Sequence, residues 1–146
     1  MRTFDDLADL VSLVEDRAPA RELYVRWSQG PDAGSDRCSR DGLSGVRLPG
    51  LSANSLAIEP WWGDRPLRLW VARRLHDYRH LKERRGPGTR PWILEGAEVG
   101  RGPDNEPLIE YHHPIGWIAD DVLAECERLV DEHAATSWGP LDREGY

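Results

Sequence analysis

The chain has little of what marks secreted, membrane-spanning or disulfide-stabilised proteins. Two cysteines among 146 residues are too few for a disulfide framework, and a reducing cytoplasm is the default environment for such a chain. No apolar run approaches the roughly 20 residues that a membrane-spanning helix needs. The amino terminus also runs directly into acidic residues, without a secretory signal. These absences predict a soluble, cytoplasmic protein with no membrane partner.

Basic charge is scarce for a protein that would bind nucleic acid. The net charge is −7, whereas a general nucleic-acid binder normally carries a basic stripe that neutralises phosphates. Arginine is denser between Arg65 and Arg90, and that local surplus could accept one anionic ligand. The composition therefore argues against general nucleic-acid binding and leaves a small molecule or a protein as the expected ligand.

Familiar catalytic and metal-binding motifs are also missing. The glycine pairs Gly86/Gly88 and Gly100/Gly102 lack the strand-to-helix context of a phosphate-binding loop. His76 and His80 have the spacing of a helical metal pair, but no further ligand stands at a recognised distance along the chain. Cys38 lies between two arginines, which would activate a thiol, yet no base accompanies it. The sequence therefore predicts no metal and no nucleophilic cysteine.

Apolar periodicity predicts an α+β fold. Helical spacing covers residues 3–18, 65–81 and a last segment from residue 120, and extended patterns cover residues 22–28, 46–58, 90–98, 108–111 and 115–118. Such a mixed order predicts a twisted, mostly antiparallel sheet, or a split pair of sheets, with about three helices packed on it. The length is that of one domain, residues 1–146, in which residues 136–146 form a short tail. Trp138 and Leu141 favour docking of that tail.

Polar residues beside chain-breaking residues mark the candidate site. Arg26 lies in the middle of a strand, on the side opposite its apolar face. Alternation places Ser52 and Asn54 on one face of a second extended stretch, and Asp104 and Glu106 end a loop rich in Gly and Pro. An ion pair at a sheet edge and ordinary turn chemistry would explain the same residues without any function.

Four stretches of the chain resemble a small actinobacterial family of unknown function. They are Leu23-Tyr-Val-Arg-Trp-Ser-Gln-Gly-Pro31, Leu48-Pro-Gly-Leu-Ser-Ala-Asn54, Glu59-Pro-Trp-Trp62 and Gly100-Arg-Gly-Pro-Asp-Asn-Glu-Pro107. The resemblance covers most of the chain and implies no activity.

The order of the polar residues also resembles that of the ADP-ribosyltransferases of the arginine–serine–glutamate type. The resemblance implies a related fold and NAD as substrate. Arg26 would bind the pyrophosphate bidentately, with Ser52 and Asn54 in the same cofactor site. Glu106 would stabilise the oxocarbenium-like transition state, and Asp104 would face the acceptor. The implied activity is transfer of ADP-ribose or hydrolysis of NAD.

Two other functions stay open from the sequence. A non-catalytic module would bind a protein or small ligand through Trp61, Trp62 and the loops around them, and its signature is an exposed apolar patch with a polar rim. A small biosynthetic enzyme would use Asp104 or Glu106 as a general acid–base, which requires a closed pocket. A hollow shared by Arg26 and Glu106 would favour the NAD enzyme over both.

Overall fold

The computed structural model describes residues 1–16, 23–31, 48, 50–84, 86–103, 105–134, 138–139 and 141. Its helices are α1 (Leu7–Asp16), α2 (Leu67–Asp77), the single turn α3 (Leu81–Arg84) and α4 (Asp120–Glu132), with a 3-10 turn at Pro60–Trp62. Its strands are β1 (Arg2–Phe4), β2 (Leu23–Ser28), β3 (Leu51–Ser52), β4 (Asn54–Ser55), β5 (Arg90–Arg101) and β6 (Pro107–Ile118). The predicted α+β class is confirmed.

The strands form one mostly antiparallel sheet whose members differ in length. The order is β1-β6-β5-β2-β4, β3 also pairs with β6, and only the β1–β6 pair is parallel among the described strands. β5 and β6 have 12 residues each, whereas β2 has six. β2 therefore covers residues 90–95 of β5, and the rest of β5 pairs with β6 alone among the described strands.

The segment 51–55 joins two separate parts of the sheet. Its first half, β3, pairs with the start of β6, and its second half, β4, pairs with β2. Ala53 separates the two halves, and its backbone N–H donates to the Pro107 carbonyl oxygen over 3.2 Å. The segment thus runs from the edge of β6 to the edge of β2 and holds the two strands at a fixed separation.

The larger core lies between the sheet and the helices. Alternation along β2 directs Leu23, Val25 and Trp27 into this core, as the sequence predicted. The helices contribute apolar stripes at helical spacing, and the fully buried members include Leu10 of α1 and Leu75 of α2. Burial of side chains of this size contributes about 1.5–3 kcal/mol each, so this layer dominates the stability.

The opposite face of the sheet is buried as well. A second cluster contains Tyr24, Ala53, Trp92, Leu94 and Ile109, with Trp117 packed against it. Trp92 donates its indole N–H to the Ser28 hydroxyl over 2.8 Å, which satisfies a polar group that burial would otherwise leave unpaired. Because both faces are covered, β2 and β5 are buried over most of their shared length.

Three predicted elements differ from the structure. Residues 2–4 form a strand instead of the first helical turn, because the end of β6 offers them an open edge at Gly116 to Ile118. The two short strands predicted around Pro114 are one strand, β6, with irregular register opposite β5. The predicted helix over 65–81 ends at Asp77, and a separate turn, α3, follows. The predicted docking of the tail is confirmed at Trp138 and Leu141, which are buried.

We expect Gly116→Ala to destabilise the fold by about 1–3 kcal/mol, the usual cost of overpacking a closed site. A Cβ atom at Gly116 would lie 2.7 Å from the Phe4 ring and 3.0 Å from the Arg2 carbonyl oxygen, where β1 meets β6. Gly100→Ala is the matched control, because the space around Gly100 is open. Urea unfolding monitored by tryptophan fluorescence measures both, and equal free energies of unfolding would contradict close packing of β1 on β6.

Candidate functional site

Arg26 links two strands from the middle of β2. It is cross-strand partner to Trp92 of β5, on the face opposite the helices. Its side chain is partly buried, and Nη1 donates to the backbone carbonyl oxygen of Ser52 over 2.6 Å. A guanidinium donating to a carbonyl makes a strong charge-assisted hydrogen bond, so Arg26 holds the segment 51–55 against β2.

The segment 51–55 also contacts Pro107, which follows Glu106, the predicted catalytic glutamate. Ser52 pairs with Leu108, and the Ala53 N–H donates to the Pro107 carbonyl oxygen. Glu106 directly precedes Pro107, so its backbone and the Arg26 guanidinium both adjoin the segment 51–55. Asn54 lies one position further along the segment and pairs with Val25 of β2.

Glu106 ends a tight turn between β5 and β6. The Gly102 N–H donates to the Glu106 carbonyl oxygen over 2.9 Å, and Asn105 adopts a left-handed backbone with φ 62°. The Glu106 carboxyl group lies directly over the Gly102 Cα, where an added Cβ would overlap it. The absence of a side chain at Gly102 therefore leaves room for the Glu106 carboxylate in this position. Asp104, the other predicted catalytic residue, lies outside the described residues.

An open cleft of about 530 Å³ lies beside this corner of the sheet. One wall is the outer part of β5 from Gly96 to Arg101, and the other is the segment from Ser55 to Pro60. Tyr24, Trp70 and Arg74 also line it. Arg26, Ser52, Asn54 and Glu106 are not among its described lining residues, although Pro107 is.

Arg74 is the cleft-lining residue with the clearest signal in the sequence. It projects from the apolar stripe of α2, where a charged side chain needs a polar partner. Its Nε donates to the Ser55 carbonyl oxygen over 3.2 Å, and the guanidinium lies 5.9 Å from the Trp70 ring and 5.5 Å from the Tyr78 ring. On the facing wall, Arg101 pairs with Glu98 over 2.7 Å. The pattern along the chain could not show that these residues share a cleft.

Trp61 and Trp62, the predicted ligand-binding pair, belong to an aromatic cluster and do not line the cleft. Trp62 is 1% exposed, and its ring lies 5.5 Å from Trp70 and 5.7 Å from Trp138. Trp61 is partly buried and donates its indole N–H to the Glu59 carboxylate. Of the predicted pair, only Trp61 therefore retains exposed surface.

The histidine and cysteine side chains that the structure describes do not assemble a metal site. Among the described residues, no three His, Cys, Asp or Glu side chains group closely enough to hold an ion. His76 lies in α2, whereas His80 lies beyond its end with Nδ1 3.1 Å from the Asp77 carbonyl oxygen. Burial raises the pKa of Cys126 to about 12, which makes this thiol unreactive. Cys38 lies outside the described residues.

Comparison with known proteins identifies a family without a known activity. A family of unknown function, DUF6098, matches residues 1–139. The chain belongs to DUF6098. No match was found among curated proteins or among solved structures. The predicted membership in a family of unknown function is confirmed, and the resemblance to ADP-ribosyltransferases stays a prediction.

One finding on the helices of this DUF6098 chain bears on the predicted absence of a membrane partner. None of the helices in the described ranges combines the length and the apolar composition that crossing a bilayer requires.

We expect acidification to destabilise the fold through His76, which α2 directs towards α4. Burial lowers the pKa of His76 below its usual 6.5, the nearby Arg79 guanidinium lowers it further, and Glu127 of α4 acts in the opposite direction. The unfolded chain then takes up its proton near pH 6.5, before the folded chain does, so stability is lost as the pH falls below that value. Above pH 6.5 this contribution does not change.

Urea unfolding of the native chain and of His76→Gln, between about pH 8 and about pH 5, measures this effect. The native chain should lose more stability on acidification than the variant, because glutamine cannot titrate. Parallel pH profiles for the two proteins would rule out His76 as a source of acid sensitivity.

Proposed function

We propose that this DUF6098 chain is a non-catalytic binding module that holds an extended segment of a partner protein in the cleft beside β5. The observation that carries the proposal is the open edge of β5 over residues 96–101. In the described part of the chain, no strand pairs with this edge, and its residues form one wall of the cleft. Unpaired backbone N–H and C=O groups along a strand edge can bind an added strand.

Exposed apolar side chains in and near the cleft also support the proposal. Ile58 is 43% exposed and Val99 is 47% exposed, and only Met1 joins them among the exposed large apolar residues of the described chain. Ile58 belongs to one wall. Val99 is not a lining residue, but it belongs to the strand that forms the other wall, at an irregular position next to the lining residue Glu98. Glu59, Glu98 and Arg101 supply a polar rim, and apolar surface with such a rim is typical of interaction sites.

A peptide selected from a random display library against the full-length chain tests this function. We expect Ile58→Asp to weaken binding of that peptide at least about tenfold, because a charge replaces an apolar contact. Ala8→Asp, on the exposed face of α1, is the control and should leave the affinity unchanged. Fluorescence anisotropy gives both dissociation constants. Failure to select any peptide, or equal affinities for the two variants, would contradict a binding site in the cleft.

A second proposal is an ADP-ribosyltransferase-like domain that transfers ADP-ribose or hydrolyses NAD. The contact from Arg26 to the Ser52 carbonyl and the hydrogen bond from Ala53 to Pro107 support it, because they draw the predicted arginine, serine and glutamate towards one corner of the sheet. In this proposal Arg26, Ser52 and Asn54 bind NAD, and Glu106 carries the charge that stabilises the transition state.

Titration calorimetry with NAD, followed by an assay of nicotinamide release, tests the enzyme proposal. Glu106→Gln should reduce turnover at least about 100-fold while leaving NAD binding intact, because it removes charge and keeps the shape. Glu110→Gln, at an exposed position of β6, is the matched control. An absence of NAD binding by the native chain, or native turnover by Glu106→Gln, would end this proposal and leave the peptide-binding function untouched.

A further inference from the structure

The described residues of the C-terminal segment, Trp138, Gly139 and Leu141, pack onto the aromatic cluster, and Trp138 stacks on Trp62. The rings of Trp138 and Trp62 lie 5.7 Å apart at an interplanar angle of 18°. The Arg73 guanidinium lies 5.1 Å from the centroid of the Trp138 ring, within the range of a cation–π contact. Trp138 is 2% exposed. An indole held by a second indole and by a cation resembles an anchor residue in a peptide-binding pocket.

A buried ion pair also binds the backbone of the same segment. Arg73 and Asp77 are 5% and 2% exposed, and Arg73 Nε lies 2.6 Å from Asp77 Oδ1. Arg73 Nη2 donates to the Leu141 carbonyl oxygen over 3.2 Å. Removing two charges from water is costly, so a buried pair needs every hydrogen bond that the site can provide. The carboxylate orients the guanidinium, and the guanidinium then binds a carbonyl at one place in the segment.

Steric fit determines which residues the site accepts at the other two described positions, Gly139 and Leu141. Gly139 has φ 58°, a left-handed conformation, and a Cβ atom there would lie 2.8 Å from the Trp61 ring. The Leu141 N–H donates to the Trp138 carbonyl oxygen over 3.2 Å and closes a turn, with the Leu141 side chain 1% exposed. The site therefore selects a tryptophan, a glycine one position later and a leucine three positions after the tryptophan.

We propose that Trp61, Trp62, Arg73 and Asp77 form a peptide-recognition site that the C-terminal segment occupies as an internal ligand through Trp138, Gly139 and Leu141. Its ligand class is a turn-forming peptide of the pattern Trp-Gly-x-Leu, and the same site accepts such a peptide from a separate chain when the internal segment releases it. Covalent attachment gives the internal segment an effective concentration in the millimolar range, so a separate peptide competes poorly with it. None of these four residues is among the described lining residues of the cleft beside β5, although Trp70 lines that cleft and packs on Trp62. The proposal does not rest on either proposed function.

Full-length Trp138→Ala opens the site for a test in which the probe is a labelled peptide of residues 136–143, Thr-Ser-Trp-Gly-Pro-Leu-Asp-Arg. Fluorescence anisotropy should show that the variant binds this peptide at least about 100-fold more tightly than the native chain, whose own segment occupies the site. The same peptide with alanine in place of its tryptophan should not bind, and adding Arg73→Met to the variant should abolish binding. A folded Trp138→Ala variant that does not bind the native peptide at about 1 mM would overturn the proposal.

Hydrogen exchange of the native full-length chain decides the question if Trp138→Ala fails to fold. A segment that docks as a ligand opens separately from the core, so the Leu141 amide should exchange faster than the Ile93 and Leu94 amides of β5 and should respond little to low denaturant. Exchange of Leu141 at the rate of the β5 amides, with the same denaturant dependence, would show that the segment opens only on global unfolding. That result would overturn the proposal.

Discussion

The difference in length between β5 and β2 is the constraint on which the arrangement of this chain depends. β5 and β6 form a hairpin of 12-residue strands, and β2 pairs with only the first half of β5. The paired half is buried on both faces and carries the core, whereas residues 96–101 keep one edge open among the described strands. The edge of β6 that faces away from β5 is paired at both ends, because β1 pairs with its end and β3 with its start. One hairpin therefore supplies both the stable centre of the sheet and the wall of the cleft.

Tryptophan and arginine pack together throughout the helical side. Guanidinium groups stack favourably on indole faces because they are planar and weakly hydrated. Arg65 lies 4.1 Å from the Trp62 ring, Arg73 contacts Trp138, and Arg74 contacts Trp70. These arginines place charge at the border of an aromatic core without exposing the rings. The same chemistry makes the cluster able to hold a tryptophan from the C-terminal segment, since an indole and a cation already face it.

The candidate residues fall into two neighbouring groups that differ in what they can do. Arg26 uses its guanidinium to bind a backbone carbonyl, and Glu106 lies against the glycine of its own turn. Such contacts stabilise the corner of the sheet whether or not a ligand binds there. The cleft offers an open strand edge and exposed apolar surface at Ile58, which a stable fold does not need. Surface of this kind is typical of interaction sites, and our binding proposal rests on it.

The sequence by itself determined the elements whose stabilising contacts are local. Apolar spacing indicated the helices, alternation indicated the two faces of β2, and glycine with proline indicated the turn before Glu106. Tertiary structure alone decided what depends on residues far apart in the chain. The strand at Arg2–Phe4 exists because β6 offers it an edge, and Trp62 is buried between residues distant in the chain, among them Trp70 and Trp138. The cleft likewise arises where strands of unequal length meet, and a pattern along one strand carries no information about the length of its neighbour.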